Sequence, residues 1–450
     1  MTERLSDTET TRDLAAFAVD TRSGSLPDGA VDTARLSLFD ACAVALAGRD
    51  EPVARTVRAL VGREGGRAEA TVVGGDARLP ARAAALANGT ACHALDYDDT
   101  HFGHIGHPTA AVLPAALAVA EARDATGADF LAAYLIGVES ACRLGAALGP
   151  EHYRHGFHQT ATSGAFGATA ACARLLGLDH DTTRHALGLA ATRASGLKSQ
   201  FGTMGKPFHA GMAAANGVEA ALLAELGFVS RPDGIECAQG FAATHAAALR
   251  TVEVPADRYL FETVQHKLHA CCHGTHAALE ALLALRRDHA IEAGQVRAVE
   301  IATHPTWLRV CDLPEPATGL EAKFSYRLTA AFALTGIDTA ALTSFTETHC
   351  DRPDLVALRD RVRVVDVASL AETAARVTLE LADGRQLVAE HDLADPLPFA
   401  ARRDKLRAKA ATLLGEAPAE ALWTTLERLE SGPVGALAAH LDGTGSGMGS

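Results

Sequence analysis

Between about residues 8 and 250 the apolar positions recur at three- and four-residue spacing, in alanine- and leucine-rich segments separated by short Gly, Pro or Asp breaks. Examples are VDTARLSLFDACAVALAG (31–48), LPARAAALANGTACHAL (79–95), TSGAFGATAACARLLGL (162–178) and GMAAANGVEAALLAELGF (211–228). That is the period of packed helices. Polar breaks every 15 or so residues favour a bundle over membrane spans, which need about 20 apolar residues in a row. Past about 290 the pattern changes. QVRAVEIATHP and ARVTLELADGRQLVAEH alternate apolar and polar positions as strands do, and the second crosses Asp383-Gly384, a hairpin signal. Helical pieces intervene at ATGLEAKFSYRLTAAFALTG and RPDLVALRDRV, and helical texture returns over 400–440. The expected fold is mainly α: a large all-helical domain at 1–268, completed by 396–440, and a smaller α+β domain at 269–395, with a Gly/Ser-rich disordered tail at 441–450.

Composition narrows the possible functions. The 450 residues suffice for two domains or more, and 48% hydrophobic with 21% charged residues suits an enzyme-sized globule. A net charge of -14 argues against a nucleic-acid partner, which needs a clustered basic surface. The chain opens without a charged-then-apolar leader and has no uncharged span of membrane length, so a cytoplasmic protein with no membrane contact is expected. Nine scattered cysteines, mostly in apolar contexts, point to reduced thiols.

Four stretches carry chemistry. ACHALDYDDTHFGHIGHPTAAVLPAAL (91–117) collects Asp96, Asp98, Asp99, His101, His104 and His107 just before an apolar segment. Pro108 keeps His107 extended and suits the first helical position, which places His107 at the mouth of a buried helix over 109–123, where amide N–H groups favour an anion. A solvated loop is the plain reading of His101 and His104. The glycines and the spacing do not reproduce a known metal-ligand pattern, so no metal is expected and an acid/base site is the better reading. GLKSQFGTMGKPFHAGMAAANG (196–217) resembles a phosphate loop but has Gln200 and Pro207 where that motif needs Gly and Ser/Thr; it leaves Lys206 on a glycine-permitted turn, where it can meet a ligand anion. HKLHACCHGTH (266–276) brings Lys267, Cys272 and His273 together without zinc spacing. In GFHQTATSGAFGATAA (156–171), His158 precedes a helix-capping turn.

Taken in order, NGTACHALDYDDT with GHPTAAVLPA, GFHQTATSGAFGATAA, FGTMGKPFHAGMAAANGVEAALLAELGF, KLHACCHGTHAALEAL and EAKFS resemble the MmgE/PrpD family over most of the chain. The family includes 2-methylcitrate dehydratase, cis-aconitate decarboxylase and iminodisuccinate epimerase. The resemblance implies a large helical domain, a smaller α+β lid domain and a homodimer. It also implies a site in which Asp96, His107 and His158 are catalytic and Thr100, Lys206 and Lys267 bind substrate. The histidine that follows the second lysine in the decarboxylase aligns with Cys272, with His273 one residue on, and Tyr326 lies close to an expected aromatic. The implied activity is acid/base chemistry on a small polycarboxylate without metal or organic cofactor. Dehydration of the 2-methylcitrate kind is the first expectation, and decarboxylation of the cis-aconitate kind or epimerisation of the iminodisuccinate kind are alternatives. A non-catalytic polycarboxylate-binding protein is the competing class.

Overall fold

A computed structural model describes residues 2–245, 248–255, 257–395 and 397–442. The expected tail lies, from 443 onward, outside the described residues. The chain divides into two compact units, Met1–His266 with Leu414–Ser450, and Lys267–Leu413.

The first unit is built from α1 (Thr10–Asp20), α2 (Asp28–Gly48), α3 (Pro52–Glu64), α4 (Ala81–His93), α5 (Pro108–Ala122), α6 (Gly127–His155), α7 (Thr162–Leu175), α8 (His180–Arg193), α9 (Gly205–Glu225) and the single turn α10 (Phe241–Thr244). At its centre α5 is buried on every side from Pro108 to Glu121, as an apolar pattern without a polar face requires. Pro108 occupies the first turn, where its missing N–H costs nothing. The helix mouth is not an open anion site. Asp99 fills it, accepting from Thr109 N at 3.4 Å and from Thr109 Oγ1 at 2.5 Å.

The helix α6 is long and apolar enough to cross a bilayer, yet 94% of its apolar window is buried inside the protein. It carries a buried ion pair in which Arg143 Nε donates to Glu139 at 2.8 Å. The same carboxylate accepts from Leu260 N and Phe261 N, so this buried charge is fully partnered.

One departure from an all-helical domain is a two-stranded antiparallel ribbon of β1 (Thr2–Leu5) and β2 (Val252–Pro255). Four-residue strands are too short to leave a readable alternation.

The crossing of α4 and α9 sets up the site described below. A Cβ on Gly211 would lie 2.2 Å from Leu86 O and 2.3 Å from Thr90 Oγ1, and one on Gly89 would lie 2.7 Å from Gly211 Cα. Backbone meets backbone there, one turn before His93 at the end of α4 and two residues after His209 near the start of α9. Gly211→Val is expected to lower stability by about 3 kcal/mol. Urea unfolding measures this, and an unchanged midpoint would show that the two helices can separate at no cost.

In the second unit, α11 (His276–Asp288) packs on a four-stranded sheet of β3 (Val296–Thr303), β4 (Val362–Asp366), β5 (Ala374–Leu381) and β6 (Gln386–Asp392). The order is β4-β3-β5-β6, parallel between β3 and β4 and antiparallel elsewhere. The β5–β6 hairpin turns at Gly384 with φ 89°, the conformation that its Asp-Gly signal predicts. The connecting elements are α12 (Pro305–Cys311), α13 (Gly319–Ala322), α14 (Tyr326–Thr335), α15 (Glu347–Cys350) and α16 (Pro353–Arg359). The helical pattern over 352–362 stops at Arg359, and VRVVD forms β4 because three β-branched valines suit a pleated sheet better than a helix.

The helix α17 (Phe399–Leu414) groups with the second unit, where Lys405 Nζ meets Glu280 Oε2 at 2.7 Å and Thr412 bonds Asp338. The sequence texture instead assigns 396–440 as a whole to the helical domain. The first unit resumes with α18 (Glu416–Glu427) and α19 (Gly435–Ala438), and Trp423 stands edge-on to Phe39 of α2 at 5.2 Å.

Candidate active site

In the first unit the site is a row of ionisable groups where three chain segments meet. The helix α4 ends at His93, and the chain then turns through Asp96, whose φ of 51° is a conformation that aspartate tolerates better than most residues. That reversal brings Asp98 back to the helix end. His93 Nδ1 lies 2.9 and 3.0 Å from the two Asp98 oxygens. His107 Nδ1 lies 3.2 Å from Asp98 Oδ2, so one buried carboxylate sits between two imidazoles whose ring centres are 4.5 Å apart. His107 Nε2 is 3.6 Å from Asp96 Oδ1, and Asp96 Oδ2 accepts from Lys206 Nζ at 2.6 Å. Lys206 is half-buried in the first turn of α9, with its ammonium 5.3 Å from the Phe201 ring.

A second imidazole pair adjoins the row. His158 stacks on His93 at 5.8 Å and meets Phe201 edge-on at 4.9 Å. Its Nδ1 is 3.1 Å from His209 Nδ1. Only one proton fits between two such nitrogens, so when both rings are neutral they hold opposite tautomers.

Burial alone would raise the Asp98 carboxyl, but the facing His93 and His107 hold it well below the usual carboxylate range. Burial, reinforced by His93, Lys206, His107 and His209, keeps His158 well below its ordinary value. Burial, with His93 and Lys206, lowers His209 to about 4. His104 is likewise held low by burial. An unfolded chain protonates these three imidazoles below about 6.5 while the folded site does not, so the unfolded state binds more protons and stability falls as pH drops from about 6.5. Asp99 works the other way. Burial pushes its carboxyl from 3.8 up to about 7, which erodes stability as pH rises across that window. Three histidines outweigh one carboxyl, because a tenfold change in a group's proton affinity between the folded and unfolded chain is worth about 1.4 kcal/mol. Urea midpoints should therefore fall from pH 7 to pH 5, and a flat profile would show that the imidazoles are protonated in the folded protein.

Among the expected site residues, Asp96, His107, His158 and Lys206 come together in the first unit. Thr100 lies half-buried on a neighbouring backbone bridge, exchanging hydrogen bonds with Gln265 at 2.8 and 2.7 Å. The others belong to the second unit. Lys267 is buried there, and Cys272 N donates to Lys323 O at 2.9 Å. The buried His273 ring packs 4.7 Å from His276. Tyr326 OH donates to Gly274 O at 2.6 Å and lies 3.1 Å from Thr303 Oγ1, which braces the turn that carries Cys272 and His273.

Sequence reasoning gave no site role to three members of the first cluster. His93 and Asp98 are five residues apart across a helix end, a spacing with no motif attached, and the turn at Asp96 alone makes them partners. His209 is three residues after Lys206 on the same face of α9, and that spacing could have found it. His101 and His104 are not on a solvated loop. Both are buried, with His101 Nε2 2.8 Å from Leu260 O and His101 Nδ1 accepting from His104 N at 2.8 Å. They are braces of the loop, not solvated side chains. One atom from each of His93, Asp96, Asp98 and His107 falls within 4.8 Å of the others, so these four could hold a metal ion.

A buried histidine–aspartate–histidine row thus ends on a lysine–aspartate pair at its exposed side, on a helical unit joined in sequence to an α+β unit. Residues 12–252 match the MmgE/PrpD N-terminal domain and residues 269–431 the MmgE/PrpD C-terminal domain, and the chain belongs to the MmgE/PrpD family, with lyase-type function. It is similar to cis-aconitate decarboxylase of Mus musculus, 28% identical over 437 residues that cover 90% of this chain and 87% of the relative. The Homo sapiens cis-aconitate decarboxylase is 29% identical over 377 residues, covering 79% of this chain and 78% of the relative. A cis-aconitate decarboxylase of Aspergillus terreus is 31% identical over 297 residues, 62% and 60% of the two chains.

Proposed function

We propose that this lyase decarboxylates a small unsaturated polycarboxylate of the cis-aconitate kind, using its own side chains as acid, base and cation. The observation that carries the proposal is the continuous row Lys206, Asp96, His107, Asp98, His93, in which a cation, a proton carrier and a buried anion follow one another at 2.6 to 3.6 Å. Decarboxylation of such a substrate breaks one carbon–carboxylate bond. CO2 leaves, the electron pair passes through the allylic system to the carbon beside another carboxylate, and that carbon takes a proton. Lys206 holds the charge of a substrate carboxylate once it gives up Asp96, and His107 delivers the proton. The Asp98 anion behind His107 stabilises its imidazolium and fixes its tautomer. The names borne by the relatives support this chemistry over the dehydration expected first.

A dehydratase reading keeps one specific support. Removing water needs a base at carbon as well as an acid at the leaving hydroxyl, and the neutral His158, set against His209, supplies a second proton carrier. Incubation with cis-aconitate, 2-methylcitrate, citrate and iminodisuccinate, followed by NMR and CO2 release, tests both. The expected result is CO2 with an unsaturated dicarboxylate from cis-aconitate. Olefin from 2-methylcitrate without CO2 would replace the decarboxylase reading by the hydro-lyase one. Binding with no turnover of any of the four would leave a polycarboxylate-binding protein.

A further inference from the structure

The same row of groups has the makings of a cation site, and nothing in the proposed reaction uses it as one. Tetrahedral zinc with bonds of 2.0–2.1 Å to nitrogen and oxygen sets neighbouring donor atoms about 3.3 Å apart. With one donor atom per residue, His93 Nδ1 lies 2.9 Å from Asp98 Oδ1 and His107 Nε2 lies 3.6 Å from Asp96 Oδ1, on either side of that figure, and one atom from each of the four residues falls within 4.8 Å of the others. Three of the four residues, His93, Asp98 and His107, are buried, and Asp96 is half-buried at the exposed end. His93 Nε2 is buried with no hydrogen-bond partner among the described residues, so rotation or tautomer change of that ring breaks no bond on its far side. With neutral imidazoles, the two carboxylates and Lys206 sum to one negative charge, which favours a further cation. Two imidazoles and two carboxylates are a donor set that suits zinc.

We propose that His93, His107, Asp98 and Asp96 form an inhibitory zinc site, which a Zn2+ ion occupies in competition with Lys206. The competition follows from geometry. Asp96 Oδ1, the oxygen facing His107, would meet the ion while Oδ2 holds the ammonium at 2.6 Å, and two cations on one carboxylate repel, so each weakens the hold of the other. Zinc would also take the lone pair that His107 needs in order to carry a proton, so the loaded site is catalytically silent. Zinc binding does not depend on which reaction the enzyme performs, whereas inhibition rests on the acid/base reading above.

The test is zinc binding by the full chain, with ZnCl2 as the only ligand, measured by calorimetry and by competition with a chromophoric chelator. One zinc per chain is expected at this site in wild type. His93→Gln should weaken it by at least the roughly 10- to 100-fold seen when a residue that merely orients a ligand is lost. Lys206→Gln should tighten it, because the competing cation is gone, and this variant keeps the test alive if His93→Gln fails to fold. Added zinc should abolish turnover of the preferred substrate, and EDTA should restore it. Equal zinc affinity in wild type and a folded His93→Gln would place zinc elsewhere and overturn the proposal, as would an affinity unchanged or weakened in Lys206→Gln. If no substrate is turned over, the binding measurements still decide the site, so its failure and the failure of the acid/base reading are told apart.

Discussion

His107→Gln is expected to lower turnover about 100- to 10,000-fold, the usual cost of removing a positioned acid/base group. The imidazole is the one group in the row that faces a carboxylate on each side, Asp98 at 3.2 Å and Asp96 at 3.6 Å, and it is the only one placed to take a proton from the buried end and present it at the exposed end. Glutamine can still donate one hydrogen bond to Asp98, so the fold should hold with a loss of about 1 kcal/mol. Substrate affinity should change far less than turnover, since Lys206 is untouched. Melting temperature, ligand affinity and turnover across pH 5 to 9 separate the outcomes. Full turnover would remove His107 from the mechanism, and a variant that unfolds would make it a structural residue at the start of α5.

Asp98→Asn is expected to cost more on both counts. The carboxylate is fully buried and faces His93 Nδ1 at 2.9 Å and His107 Nδ1 at 3.2 Å. An amide oxygen can accept from one ring while the amide nitrogen turns its hydrogens toward the other, which forces that imidazole into the opposite tautomer. The negative charge that would stabilise an imidazolium is lost at the same time. In histidine–aspartate pairs that change costs on the order of 10^4 in rate. Breaking a buried charged cluster by neutralising one member costs about 3 kcal/mol of stability. Asp98→Asn should therefore be less stable than His107→Gln and no more active. Denaturant unfolding and single-turnover kinetics on both variants, side by side, make the comparison. An Asp98→Asn enzyme with wild-type turnover would show that Asp98 serves the fold alone.

The two kinds of unit, the buried helix after Pro108 and the Asp383-Gly384 hairpin could be read directly because each rests on local physics: periodicity over a dozen residues, a proline that suits a first turn, a dipeptide that suits positive φ. The residues Asp96, His107, His158 and Lys206 could be named from their motifs. The strand β4 could not, since its valines follow closely on a helical pattern and their sheet preference is realised on a parallel partner, β3, far away in sequence. The ribbon of β1 and β2 joins residues about 250 apart and had no local signal.

What the chain determines by itself is thus which segments coil, where they stop and which side chains can do acid/base work. What only the tertiary structure decided is which of those side chains meet. Asp99 was available to the site and went instead to the mouth of α5, while Asp98, one residue earlier, points between two imidazoles. His101 and His104 were as good candidates as His107, yet they are used to brace the loop. His93 and His209 join the row because α4 and α9 cross backbone to backbone at Gly89 and Gly211. The physical reason is range. Helix periodicity and caps are set within a few residues, whereas a buried charge must find its partner wherever the packing brings one within about 3 Å, and that distance is fixed by the whole fold.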